Sequence, residues 1–297
     1  MRTAIADVIS KGRFTPAASY QWFGYACAGL LVASGLFHLG VYAVDGGPWQ
    51  GPVSWRKPVV FGLSFGITLA TITWITTFLR PGRVVGWLLV GLYSLASLAE
   101  VFLISMQAWR GVPSHFNEAT VFDESVFSMM GLLVSVIAVL TVVVAVWSWV
   151  RIEAPPSLAL AIRLGLLLML VSNGVGAQMI AEGGNTFGAA GALKVPHAVT
   201  LHALQVLPAL ALVLLAGRST EMRRVRVVEL GAAGYVVLIG STMVQTYAGR
   251  GPLDLDVASA AFALIGLALL ATAAVIALRG LGVQETVVGQ RIRPRTP

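Results

Sequence analysis

Only 11% of the 297 residues are charged, against 57% in the hydrophobic set, whereas a soluble domain carries about 25% charged residues; an ordinary water-soluble globule is excluded and an all-α polytopic membrane protein is the expected class. The net charge of +7 does not point to nucleic acid, because no basic patch is interleaved with aromatic residues. The single cysteine, Cys27, lies in an apolar run and can form no disulfide within the chain.

Residues 1–19 read as a short cytoplasmic leader. The apolar run that follows exceeds the ~7–15 residues of a signal-peptide core, so it is expected to stay as a span. A transmembrane helix needs about 20 apolar residues, and eight segments qualify: 20–44, 56–79, 84–108, 124–150, 157–181, 196–217, 226–248 and 255–279. Gly, Pro and charged residues fill the connections, where breakers belong. In the sixth span, "LKVPHAVTLHALQVLP" at 193–208, Pro196 suits the first turn. Pro208 removes a hydrogen bond from the Leu204 carbonyl and predicts a kink. Residues 280–297 read as a basic cytoplasmic tail.

Lys and Arg counts orient the chain. With a cytoplasmic N-terminus, fifteen fall inside, among them Arg2, Lys11, Arg13, Arg291, Arg293 and Arg295. Five fall outside: Arg56, Lys57, Arg110, Lys194 and Arg250. Both termini are therefore expected in the cytoplasm, with the chain in the cytoplasmic (inner) membrane. "QAWRGVP" at 107–113 also matches "QTYAGRGP" at 245–252 with one inserted residue. Gln107 and Gln245, Trp109 and Tyr247, Gly111 and Gly249, and Pro58 and Pro196 all stand 138 residues apart. This predicts two four-helix repeats in the same orientation, 20–150 and 157–279, joined by a cytoplasmic linker at 151–156.

The scarce polar residues collect on the outer half. Ser34, His38, Tyr42 and Asp45 share a face of the first span, as do Glu100 and Gln107 in the third, Gln178 and Glu182 in the fifth, and Ser241 and Gln245 in the seventh. The fourth and eighth spans are nearly free of polar side chains and are expected to face lipid. Glu100 is costly inside a span and calls for a partner or a cavity. All four histidines, His38, His115, His197 and His202, fall in the outer half or outer loops. His197 and His202 are about 140° apart around a helix and cannot clasp one metal from a straight one. The stretch "QAWRGVPSHFNEATVFDE" at 107–124 is expected to roof a cavity with Arg110, His115, Asn117 and Glu118.

Eight spans in two halves, cytoplasmic termini and intramembrane histidines together resemble the plan of haem A synthase and related b-type cytochromes. The resemblance implies a haem-binding bundle. That family's paired histidines lie on particular helices of each half, however, and the second and fourth spans here have none, so no ligand carries over. "RGVPSHFNEAT" and "KVPHAVTLHALQ" are similar to a family of multi-pass bacterial membrane proteins of unassigned activity.

The leading expectation is a redox or cofactor protein in which His38, His197 or His202 ligates a b-type haem or a transition metal. Arg56, Lys194, Gln107 and Gln245 would line the cofactor site, with Arg110, Lys194 and Arg56 holding propionates or a substrate carboxylate at the outer rim. A second class is an enzyme modifying a lipid or small molecule at the outer face, with Glu100, His115 and Arg110 as catalytic groups. A third is a transporter or receptor for a small anionic ligand. Membrane lipid is the one partner expected in every case.

Overall fold

A computed structural model describes residues 14–290, with side chains to residue 281. Most of the expected leader (with Arg2, Lys11 and Arg13) and the end of the tail (with Arg291, Arg293 and Arg295) lie outside the described residues. The described chain is helical apart from one two-residue strand pair. Eight helices are long and apolar enough to cross a membrane, the arrangement of a multi-pass membrane protein. They are α1 (Ser19–Asp45), α2 (Arg56–Leu79), α3 (Arg83–Trp109), α4 (Val121–Val150), α5 (Pro156–Ala181), α6 (Lys194–Ala216), α7 (Glu221–Tyr247) and α8 (Val257–Gln290).

Local chemistry sets the ends. The Gln21 carbonyl oxygen accepts from the Ala17 and Ala18 amides at 2.8 and 3.1 Å and closes the start of α1. Thr120 and Asp123 bond each other reciprocally before α4: the Asp123 amide donates to Thr120 Oγ1, and that hydroxyl donates to Asp123 Oδ2. Asp256 accepts the Ser259 amide at 2.7 Å and starts α8. Pro156 takes the first turn of α5, where a missing N–H leaves nothing unpaired. Helix α2 ends on Arg80 in the left-handed region, φ 48°, its amide donating to the Thr76 carbonyl.

The described chain forms two compact units, Thr15–Trp147 and a second from Ser148 onward. In the first unit α1 and α2 touch backbone to backbone. A Cβ on Gly62 would stand 2.8 Å from the Gly35 Cα, and one on Gly66 would stand 2.9 Å from the Ala28 carbonyl. Small residues allow such approach where lipid supplies no hydrophobic drive between helices. The second unit repeats the device between α7 and α8, where a Cβ on Gly266 would meet the Gly234 carbonyl at 2.8 Å. Helix α4 joins the first unit through Val126 and Met130, buried with Ile104 and covered by Phe61, Leu103 and Met106.

Several boundaries differ from the sequence reading. Helix α7 begins at Glu221, five residues earlier than expected, because the Thr220 side chain caps it by accepting the Arg223 amide. Helix α8 runs to Gln290, past the expected end at 279 and through Gly280 and Gly282. An unforeseen hairpin, β1 (Thr186–Phe187) with β2 (Gly191–Ala192), separates α5 from α6. It rests on the end of α7: the Ala190 amide donates to the Gly249 carbonyl, and Gly191 leaves no room for a side chain beside Thr246. Helix α6 is interrupted at His202, between segments ending at Leu201 and beginning at Ala203, and Pro208 lies inside the second segment. Helices α4 and α8 are mostly exposed, as expected for lipid contact, and α1 is exposed to the same degree as α4.

Gly62→Ala is expected to destabilise the protein by about 1–3 kcal/mol through overpacking against α1. Gly29→Ala, with open space at its Cβ, should instead stabilise by up to about 1 kcal/mol, since Ala is the better helix former. Thermal unfolding in detergent followed by tryptophan fluorescence checks both.

Candidate functional site

The polar stretch 107–124 is folded inward rather than strung over the surface. Three backbone bonds close the end of α3: Arg110 N–H to the Met106 carbonyl, Gly111 N–H to Ala108, and Val112 N–H to Gln107. Gly111, at φ +70°, makes the reversal possible. The turn aims Arg110 at the first turn of α4, where its guanidinium meets Asp123 Oδ1 at 2.6 Å and also donates to Gln107 Oε1. Gln107 Nε2 donates to the same carboxylate at 2.9 Å. Asp123 is buried, so these donors and Thr120 supply what water would otherwise give it. Gln107 and Arg110 thus both bond Asp123, a residue the sequence reading did not single out.

A second group stands at the start of α2. Lys57 Nζ donates to the buried Ser114 Oγ at 3.5 Å, and Ser114 Oγ lies 2.9 Å from His115 Nδ1. Arg56 is beside them, its Nε buried without a hydrogen-bond partner. Neither Arg56 nor Lys57 pairs with a carboxylate among the described residues. Two cations in the first turn oppose the helix dipole, an arrangement that costs stability unless an anion joins them. Phe61 packs beside the His115 ring at 5.4 Å. The next residue, Phe116, holds a left-handed φ of 56°, rare for a bulky side chain and strained. Asn117 secures that bend by donating to the Pro113 carbonyl and accepting the Ala119 amide. Burial, and then the Lys57 charge, push the His115 imidazole down from its ordinary 6.5 to about 4. The ring is therefore neutral near neutrality.

His38 is fully engaged. Its Nδ1–H donates to the Ser34 carbonyl at 2.8 Å, and its Nε2 accepts from Trp109 Nε1 at 3.1 Å. Trp55 packs against both rings, 6.0 Å from His38 and 4.8 Å from Trp109. An indole N–H only donates, so the Nε2 lone pair is occupied and an axial haem bond from His38 would first require Trp109 to leave. Glu100 is fully buried, and neither of its oxygens has a hydrogen-bond partner; it makes no bond to His115.

The remaining expected residues belong to the second unit. His197 Nδ1 lies 2.9 Å from the Ser172 carbonyl and 3.0 Å from its hydroxyl, leaving Nε2 uncommitted. His202 bonds Gln205 from the break in α6. Lys194 begins α6. Gln245 donates to the Gly251 and Asp254 carbonyls and so braces its own loop. That loop repeats the end of α3 bond for bond: Ala248 N–H to Val244, Gly249 N–H to Thr246, and Arg250 N–H to Gln245, with Gly249 at φ +69°. Arg250 then meets Asp256 at 2.7 Å, as Arg110 meets Asp123. Tyr247 donates to Gln178 on α5, as Trp109 donates to His38 on α1. No group of three or more His, Cys, Asp or Glu that could hold a metal occurs among the described residues.

The histidines, Glu100 and the outer cations were legible as polar residues in apolar surroundings. Ser114, Asp123 and the Trp55–Trp109 pair were not, because a lone serine, an aspartate at a helix start and interfacial tryptophans are ordinary in any span. Comparison of the chain with protein families, curated proteins and solved structures finds no match.

A His115 resonance followed by proton NMR should titrate near pH 4 and move upward in Lys57→Met, which removes one of the two causes of its depression. Because the folded state favours the neutral ring, the stability this histidine contributes is complete above about pH 6.5. It should decline as the pH falls from 6.5 towards 4; chemical denaturation across that range, compared with His115→Gln, checks the sign.

Proposed function

We propose that the protein is a membrane transporter or receptor that binds a small anionic ligand at the start of α2. The observation that carries this reading is the uncompensated pair Arg56 and Lys57 in the first turn of a helix, beside a buried hydroxyl and a neutral imidazole. The two cations attract a phosphate or carboxylate, and the Ser114–His115 pair can add one hydrogen bond, from whichever of the hydroxyl and the ring N–H is not spent on their own bond. Arg110 is half-exposed and already paired, so it acts as a brace for the loop that carries Ser114 and His115. The excess of Lys and Arg on one set of connections supports cytoplasmic termini in an inner membrane, which sets this site on the outer side. The matching turns after α3 and α7, 138 residues apart, support a duplicated four-helix ancestor in parallel orientation.

A second reading, ligation of a haem or metal, is favoured by one observation. His197 directs Nδ1 at the Ser172 carbonyl, the outer-sphere bond that orients a ligating imidazole. A Cβ on Gly176 would come within 3.3 Å of that ring, so a glycine gives it space. Under this reading Nε2 of His197 is the ligand, and purified protein would carry iron or another metal that His197→Ala loses.

For the anion reading, detergent-purified protein titrated with phosphate, sulfate and acetate should be stabilised against heat by at least one of them. Lys57→Met should weaken that binding about tenfold or more, the worth of one hydrogen bond to a charged group. Exposed Arg223→Met should leave it unchanged. Equal behaviour of Lys57→Met and the unaltered protein would remove the proposal.

A further inference from the structure

Serines and threonines in these helices usually satisfy their hydroxyl by donating back to a carbonyl one turn earlier. Thr71 does so to Ile67, Ser94 to Val90, Ser135 to Gly131 and Thr141 to Ile137. Thr73, Ser105, Ser157 and Ser259 depart from this habit, and so do Ser97 on α3 and Thr68 on α2. These last two are buried, and neither hydroxyl has a hydrogen-bond partner. Glu100 stands three residues from Ser97 on the same helix face, also buried, with both carboxyl oxygens unpartnered.

The register of the helices brings the three to one level. Phe61 of α2 packs on the cluster that contains Ile104 of α3. Two turns further along that face of α2 is Thr68; two turns back along the corresponding face of α3, which runs the opposite way, is Ser97. Glu100 lies one turn from Ser97 on the Ile104 side. Four oxygens able to form hydrogen bonds thus share a layer inside the first unit, about 10 Å along α3 from Gln107. Other titratable or charged groups on the surrounding elements include His38 on α1, Arg56 and Lys57 on α2, Tyr93 on α3 and Asp123 on α4, each about one helical turn or more along its own helix from this layer. Cys27 on α1 is close to the level of Thr68, since Gly66 meets Ala28; none of these groups bonds Glu100.

An isolated carboxylate in an apolar interior is too costly to persist without a positive partner or donors. We propose that Glu100, Ser97 and Thr68 form a proton-binding site within the first helical unit, separate from the anion site at the start of α2. In the loaded state the proton is on a Glu100 oxygen. On release the O–H electron pair stays with the carboxylate, the proton passes to water, and the Ser97 and Thr68 hydroxyls turn to donate to the anion. Hydroxyls held idle rather than bonded back to their own helix are what a carboxyl with two charge states requires. An intramembrane carboxyl with such partners is the kind of group found in proton relays.

Infrared difference spectroscopy of the protein reconstituted in lipid, cycled between mildly acidic and alkaline buffer, tests the assignment. The expected result is a protonated-carboxyl band that is lost on the alkaline step and regained on return. Glu100→Gln, which keeps the side chain's shape, should lack it, and Ser97→Ala should shift its frequency. Spectra in which Glu100→Gln retains the band, or a Glu100 band unchanged at every pH, would overturn the proposal. Loss of the band on adding sodium at constant pH would assign the layer to a metal cation instead and overturn it equally. Neither readout depends on anion binding at Lys57.

Discussion

Where lipid surrounds a helix, a polar group has no water to fall back on, and every donor or acceptor must find its partner inside the protein. That constraint organises this chain. It makes eight helices the vehicle for the backbone and bends most hydroxyls back to their own helix carbonyls. It draws Gln107, Arg110 and Thr120 onto the buried Asp123. Against that background, the buried groups left without a partner among the described residues include Arg56 Nε, the Glu100 carboxyl, and the Ser97 and Thr68 hydroxyls. The functional proposals rest on these exceptions.

Rigidity at the loop end follows from the same rule. The turn after α3 is closed by three backbone bonds and held by an ion pair, so the following loop has few ways to move. Phe116 in its strained conformation is the consequence of placing Ser114 and His115 over the start of α2. The close passage of α1 over α2, possible only because Gly35, Gly62 and Gly66 lack side chains, fixes the helix on which Arg56 and Lys57 are carried. For the proposed anion site, such ordering would lower the entropy lost on binding.

Much of the architecture was readable from the residues, because a span needs only length and apolarity and both are visible in a string. The breaks were harder. Pro208 was visible, yet the interruption of α6 at His202 was not, because nothing in the string marks that residue as a breaker. The hairpin at 186–192 was invisible because its sequence is too short to carry an alternation. Among site residues, Glu100 and the histidines announced themselves by being ionisable in an apolar setting. Their roles did not follow from that. His38 is fully bonded, Gln107 and Arg110 serve Asp123, and only coordinates could reveal that Ser114 joins Lys57 to His115.

The central claim, that the loop carrying Ser114 and His115 covers an anion site on the outer side of the membrane, can be tested at one position. Phe116→Cys in a Cys27→Ala background would carry a single thiol beside His115. Its rate of labelling in intact cells by a membrane-impermeant maleimide, with and without added phosphate, is the measurement. The account predicts labelling from outside that phosphate slows; a thiol labelled only after the cells are opened, or at a rate indifferent to phosphate, sulfate and acetate alike, would contradict it.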